Sequence, residues 1–247
     1  MRAAVAGATG RTGSEVVTEL RERGHDALAL SREPTDDQRD IGDLAAVLDE
    51  SDSDALIDFT VPEATVHHAT VAAEAGVPLV IGTTGFDEDG LAALTDAARE
   101  IPVLRASNFA RGVHALREIV QAGVEALPDY DIELTETHHS GKRDAPSGTA
   151  RTLLDDIDAA RGERGERLDR THGREGKHER DPAEIGVHVR RAGNVRGEHE
   201  VLLAGNDELL TLTHRAESRR VFAAGAVDAA EAVAGRPAGE YEFTEVV

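Results

Sequence analysis

The opening of the chain constrains its fold more than any other segment. An apolar run from Met1 to Ala6 ends in Gly7-Ala8-Thr9-Gly10-Arg11-Thr12-Gly13 and passes into a helical pattern with Val16, Val17 and Leu20 on one face. Strand, glycine turn and helix in that order begin a nucleotide-binding unit. The first glycine permits the tight turn, and the later ones let a pyrophosphate and the strand approach the helix. The exposed amides and the dipole of the helix N-terminus attract an anion there. Gly7, Ala8, Thr9, Gly10, Arg11 and Thr12 are therefore candidate dinucleotide contacts. A βα turn without a ligand would use the same glycines, so the turn alone does not decide.

Dinucleotide folds commonly place an acid at the end of the second strand, about 20 residues on, to hold the ribose hydroxyls. Ser31-Arg32 occupies that place here. A hydroxyl and a guanidinium suit the 2′-phosphate of NADPH, so NADPH is expected to serve at least as well as NADH.

The alternation continues. Ala27–Leu30, Ala55–Phe59, Pro78–Ile81 and Pro102–Arg105 read as strands; Ala64–Ala75 and Asp87–Glu100 read as helices. This predicts an α/β fold, a Rossmann-like parallel sheet with helices on both faces. The rhythm changes after Asn108-Phe109. A long amphipathic helix is expected over Gly112–Leu127, a strand over Ile132–Thr137, and a helix from Thr149. Three strand-like runs, Ile185–Arg190, His199–Ala204 and Leu209–Thr213, lie close enough to pair as antiparallel neighbours. Arg161–Glu184 is charged and aperiodic and reads as a mobile surface loop, and Arg219–Ala234 as a last helix. Two domains are expected, with the boundary near residue 110.

Composition narrows the partners. The chain has 48 acidic and 27 basic residues, a formal net charge of −21. A surface this acidic does not suit nucleic acid or an anionic membrane, both of which need basic patches. Cysteine is absent, which excludes disulfides and thiolate zinc sites. No apolar run is long enough to span a bilayer, and a cytoplasmic location is expected. Of the 27 basic residues only two are lysines, Lys142 and Lys177. Acid excess with scarce lysine fits adaptation to high salt, where charge repulsion is screened over a Debye length of about 3 Å at 1 M. A GC-rich genome would also favour Arg over Lys.

The most informative stretch runs from Glu136 to Ala150. His138, His139, Lys142 and Arg143 lie at a strand end and in the loop after it, and Ser147-Gly148-Thr149 precedes a helix. Cations beside the amides and hydroxyls of a helix start suit a small dicarboxylate. An imidazole or ammonium there can supply a proton. Adjacent histidines on a strand face opposite sides, and no further ligand cluster is evident from spacing, so no metal is expected. Lys142 stands out because arginine, used everywhere else but once, cannot replace lysine as a proton donor or compact point charge.

These residues resemble the signature of the dihydrodipicolinate reductases, E-x-H-H-x-x-K-x-D-x-P-S-G-T-A, at every fixed position. The Gly7–Gly13 turn, Asp58-Phe59-Thr60-x-Pro62, Gly82-Thr83-Thr84-Gly85-Phe86, Asn108-Phe109, Arg191-Ala192-Gly193 and Gly197-Glu198-His199 agree as well, in order along nearly the whole chain. The family's usual methionine in the first turn is Thr12 here. The resemblance implies a homotetramer with two domains. A dinucleotide-binding domain would span 1–110, completed by 219–247. A mixed-sheet, α+β substrate-binding and tetramerisation domain would span 111–218. It implies hydride transfer from NADPH or NADH to a cyclic dicarboxylate on the diaminopimelate route to lysine. By position, His138 would be the proton donor and acceptor, Lys142 the proton donor, and His139, Gly148 and Thr149 the substrate-carboxylate contacts. Gly82, Thr83, Thr84, Ala106, Ser107, Asn108 and Phe109 would line the cofactor alongside the glycine turn.

Two alternatives share the first half. Another Rossmann oxidoreductase acting on a small dicarboxylate leaves the Lys142 loop unexplained, and a non-catalytic NADP-sensing regulator explains only the glycine turn. Short-chain-dehydrogenase chemistry is excluded. It needs Tyr-x-x-x-Lys, whereas Tyr130 and Tyr241 are followed four residues on by Leu134 and Glu245.

Overall fold

A computed structural model describes residues 1–35, 37–162 and 167–246. The chain divides into two compact units, Met1–Arg111 with Arg219–Val247, and Gly112–Ser218.

The first unit is built on a seven-stranded parallel sheet. Its strands are β1 (Arg2–Ala6), β2 (Asp26–Ser31), β3 (Arg39–Asp40), β4 (Ala55–Asp58), β5 (Leu79–Ile81), β6 (Pro102–Arg105) and β12 (Gly239–Tyr241), in the order β12-β6-β5-β4-β1-β2-β3. Alternation along β1 shows why both faces must be covered. Ala3 and Val5 enter one core with helices α1 (Gly13–Glu22) and α7 (Arg220–Val233), while Ala4 and Ala6 enter another with α2 (Leu44–Ser51), α3 (Pro62–Ala75) and α4 (Glu88–Ala98). Strands buried on both faces are the mark of a parallel sheet in an α/β fold. The C-terminal segment returns to this unit: Arg23, capping the end of α1, pairs with Asp228 of α7 at 2.7 Å, and β12 adds to the sheet edge beside β6. The short elements β3, α2, β12 and the final helix α8 (Phe243–Val246) were not foreseen from the sequence. Each is too short to show a period.

The second unit packs α5 (Arg111–Ala126) and α6 (Gly148–Arg161) on one five-stranded mixed sheet. Its strands are β7 (Asp131–His138), β8 (Asp169–Thr171), β9 (Glu184–Arg191), β10 (Glu198–Gly205) and β11 (Glu208–Arg215), in the order β11-β10-β7-β9-β8. Its core joins Leu116, Val120 and Val124 of α5 to Ile132, Leu134, Leu153, Ile157, Val187 and Val201. Of the three late strands, β10 and β11 pair antiparallel across Asn206-Asp207, both at positive φ as a two-residue hairpin requires. β9 does not join them. It pairs parallel to β7, which takes the middle of the sheet. Local turn chemistry fixes a hairpin, but only tertiary packing decides which strand becomes central.

The stretch read as a mobile loop, Arg161–Glu184, is also corrected in part. Residues 163–166 lie outside the described residues. β8 falls within the remainder, and Arg174 binds Glu133 and Glu184 at 3.1 and 2.5 Å. Charges that look like solvated surface in sequence anchor this segment to the sheet. Among the described residues, no helix is long and apolar enough to cross a membrane.

Candidate active site

In the first unit the glycine turn follows β1 directly. Gly7 has φ +80°, and a Cβ on it would lie 2.6 Å from the Phe59 carbonyl oxygen. A Cβ on Gly13 would lie 2.1 Å from the carbonyl oxygen of Gly7, so the helix can start this close to the strand only as glycine. Ala8 is buried beneath the turn, while Thr9, Gly10 and Arg11 are exposed at the N-terminus of α1, where first-turn amides lack intrahelical acceptors. Register between β1 and β2 brings Ser31 and Arg32 to the same edge of the sheet. Ser31 is buried, its Oγ accepting from the Glu33 amide at 3.2 Å, whereas Arg32 is exposed. Gly82, Thr83 and Thr84 follow β5, and Ala106, Ser107, Asn108 and Phe109 follow β6. All these candidates therefore collect at the carboxyl edge of the parallel strands, where ligands bind open α/β sheets. Two of them have structural duties. The Thr83 hydroxyl is buried among Thr60, Thr65 and Asp58, and Asn108 Oδ1 accepts from the Ala110 amide at 2.9 Å.

In the second unit the site grows out of the pleat of β7. Ile132, Leu134, Glu136 and His138 all face the buried side, so one face runs from apolar core to ionisable groups at the strand end. The register then adds two residues to which the sequence had assigned no role. Arg191 of β9 lies opposite His138, and His199 of β10 lies opposite Glu136. Spacing could not have found them, because they are more than 50 residues from the pair they meet.

Glu136 is the hub. Its side chain is fully buried; Oε1 accepts from the Ser147 amide at 2.8 Å and pairs with Arg191 Nη2 at 3.0 Å. Oε2 lies 2.5 Å from His138 Nδ1. Burial opposes ionisation of this carboxyl, but His138, Arg191 and Ser147 outweigh it and hold its pKa at about 2. At such a separation two lone pairs would repel, so Nδ1 carries a hydrogen and Nε2 is the nitrogen left for chemistry. That atom sits 3.2 Å from where a Cβ on Gly197 would be, so glycine keeps it uncovered.

His199, edge-on to His138 with ring centroids 5.2 Å apart, is buried. Desolvation and the neighbouring His138 charge push its pKa down to about 4, leaving it neutral near pH 7. Its Nε2 meets Ser147 Oγ at 3.1 Å, and that oxygen also caps α6 by accepting from the Ala150 amide at 3.2 Å. The start of α6, with Gly148 exposed and Thr149 half-buried, is thus fixed to the ionisable end of the sheet. Lys142 reaches the same loop, its Nζ 2.8 Å from Asp144 Oδ1. Burial opposes ionisation of Asp144, but Lys142 outweighs it and keeps that carboxyl below its usual range. His139 is half-buried beside them, and its carbonyl accepts from the Lys142 amide at 3.1 Å.

Glu136, His138 and His199 each offer one metal-ligand atom within 4.8 Å of the others, a cluster the sequence spacing hid. The Glu136 carboxylate already carries the Arg191 guanidinium, which disfavours a second cation at the same group.

Comparison with known proteins identifies the family. Residues 1–109 match the family model described as dihydrodipicolinate reductase, N-terminus, and residues 112–247 match dihydrodipicolinate reductase, C-terminus. A 4-hydroxy-tetrahydrodipicolinate reductase of Natronomonas pharaonis is 64% identical, with 100% of both chains covered. One from Haloarcula marismortui is 49% identical, covering 100% of this chain and 98% of its own. Among solved structures, a dipicolinate-bound dihydrodipicolinate reductase from Paenisporosarcina sp. TG-14 superposes with a TM-score of 0.80 at 22% identity, over 98% of this chain and 97% of that one. With both halves matched and relatives aligned end to end, this chain belongs to the dihydrodipicolinate reductase family.

Proposed function

We propose that this protein reduces 4-hydroxy-tetrahydrodipicolinate to tetrahydrodipicolinate with NADPH or NADH, in the diaminopimelate route to lysine. The observation that carries the reading is the buried Glu136–His138 pair beside Lys142 and the capped start of α6. Over the reaction the substrate loses its hydroxyl as water and gains one hydride and one proton. The bound nicotinamide supplies the hydride.

The residues of the chain account for the rest. His138, with Nδ1 turned to Glu136, exchanges a proton through Nε2, and Lys142 donates a proton once substrate draws it from Asp144. Both act on charge that develops in the transition state. The amides and hydroxyl of Gly148 and Thr149, with His139, hold the substrate carboxylates at the N-terminus of α6. The same grouping reads as proton-handling and not as a metal centre, because Arg191 already neutralises Glu136.

Gly7 to Thr12, Gly82 to Thr84 and Ala106 to Phe109 hold the cofactor. The glycine turn fits it: a Cβ at Gly7 or Gly13 would collide with the carbonyl oxygen of Phe59 or Gly7, so only glycine lets the strand, the turn and the amides at the start of α1 pack this closely. Ser31 and exposed Arg32 favour the 2′-phosphate, so NADPH should be at least as efficient as NADH. We read the protein as a cytoplasmic homotetramer. Leu209, 71% exposed on the edge strand β11, and Ile119, 53% exposed on α5, support burial of this unit between copies. Sedimentation at four times the 26.3 kDa chain mass tests it.

The assay follows NADPH loss at molar KCl, with substrate generated in place from pyruvate and aspartate semialdehyde. Turnover is expected. Folded protein without turnover would overturn the reading.

A further inference from the structure

The segment Asp58-Phe59-Thr60 begins at the last residue of β4 and takes no part in the chemistry assigned above. Asp58 is nonetheless fully buried, and a buried carboxylate is tolerated only when its oxygens are satisfied. Oδ1 accepts from the Thr60 amide at 2.8 Å and from the hydroxyls of Thr60, Thr65 and Thr83 at 2.6, 3.0 and 3.3 Å. Oδ2 meets Nδ1 of buried His68 at 2.7 Å. These donors come from three places: the loop after β4, the buried face of α3, and the loop after β5.

Phe59 lies between them, and three candidate cofactor segments approach it closely. Its carbonyl oxygen occupies the space a Cβ on Gly7 would need, and a Cβ on Gly82 would lie 2.1 Å from its ring. The ring stands 5.8 Å from that of Phe109, centroid to centroid. The glycine turn, the Gly82–Thr84 loop and the Ala106–Phe109 loop thus meet on one residue, and the carboxylate of Asp58 before it holds Thr60 after it.

We infer that Asp58 and His68 are positioning residues for nicotinamide-nucleotide binding, acting through Phe59 and Thr83 to hold three cofactor loops in their binding geometry. The inference rests on the proposal that the chain binds NAD(P)H. If the Asp58 carboxylate becomes an amide, its one remaining acceptor can serve the threonine hydroxyls or His68 but not both, and part of the network loses its partner. The loops then relax, and the preorganisation that cofactor affinity depends on is reduced.

The test compares two ligands that address different units. NADPH binding is measured by its fluorescence, and pyridine-2,6-dicarboxylate binding by calorimetry, on the full-length wild type and on Asp58→Asn. The NADPH Kd is expected to rise about ten-fold or more, since an unsatisfied buried group and the affinity scale together set that size. The dicarboxylate Kd should change less than two-fold. His68→Leu should reproduce the effect, while His68→Asn, which restores a donor near the Nδ1 position, should return the NADPH Kd towards wild type. If Asp58→Asn fails to fold, Thr65→Val with Thr65→Ser as its rescue reads the same network, since Thr65 donates to Asp58 from α3 and lies outside the cofactor segments. An unchanged NADPH Kd in folded Asp58→Asn or Thr65→Val would overturn the inference, as would equal weakening of both ligands. Wild type that binds no NADPH would overturn the cofactor reading beneath it.

Discussion

Each unit of this protein buries a carboxylate against an imidazole, and the two pairs are built for different work. Asp58–His68 is sealed: both carboxylate oxygens are taken by donors from three segments, and His68 is 5% exposed. Glu136–His138 is sealed on the acid side only. Arg191 and the Ser147 amide bind the carboxylate, but His138 Nε2 faces the space left by Gly197. We read the enclosed pair as a clamp and the second, which shares its loop with Lys142 and the capped start of α6, as a proton-handling dyad.

That contrast can be broken from its open side first. Lys142→Ala should lower kcat by about 10²–10⁴, the usual contribution of a general acid, while the NADPH Kd stays within two-fold. Unchanged turnover would remove Lys142 from the mechanism. Glu136→Gln should cost about ten- to a hundred-fold in kcat, because the tautomer of His138 is no longer imposed and Arg191 loses its charge partner. Stopped-flow turnover on protein verified as folded by circular dichroism checks this, and the loss should appear in kcat and not in NADPH binding.

Gly197→Ala sharpens the comparison more gently. Its methyl would lie 3.2 Å from His138 Nε2, crowding that atom without touching the carboxylate, and kcat should fall several-fold; φ is +158° at Gly197, so some stability should be lost as well. A variant with wild-type kcat would mean that Nε2 is not the atom in use.

Acid should reveal the pairs through stability. His199 is held at about 4 against an ordinary 6.5, and Glu136 at about 2 against 4.5. In both cases the unfolded chain binds protons before the folded one does, so stability rises with pH. The His199 contribution is complete above pH 6.5 and lost on the way to pH 4; the Glu136 contribution is lost between pH 4.5 and 2. Urea midpoints across pH 7 to 4 should fall by the equivalent of roughly 2–3 kcal/mol for His199 alone. His199→Gln should flatten that slope.

The signals legible in the sequence were those carried by neighbours along the chain. The glycine turn, the alternating apolar strands and the E-x-H-H-x-x-K run each declare themselves within about fifteen residues, because strand pleat and helix period are local properties of the backbone. Lys142 could be singled out by composition alone, since 25 of 27 basic residues are arginine. Arg191 and His199 could not be given roles, and neither could the Asp58–His68 clamp. Their meaning arises when β9 pairs parallel and β10 antiparallel to β7, or when α3 packs beside β4. The same holds for Arg174, which looked like loop charge and binds two buried or half-buried glutamates.

The sequence by itself therefore determined the parallel nucleotide-binding sheet, the existence of a second unit and the loop that carries the lysine. The tertiary structure decided which strand lies at the centre of the mixed sheet, and with it which ionisable groups share a desolvated space. The physical reason is range. Backbone periodicity is written in adjacent residues, whereas the charge state of buried His199 depends on desolvation and on a neighbouring strand's histidine that only folding brings beside it.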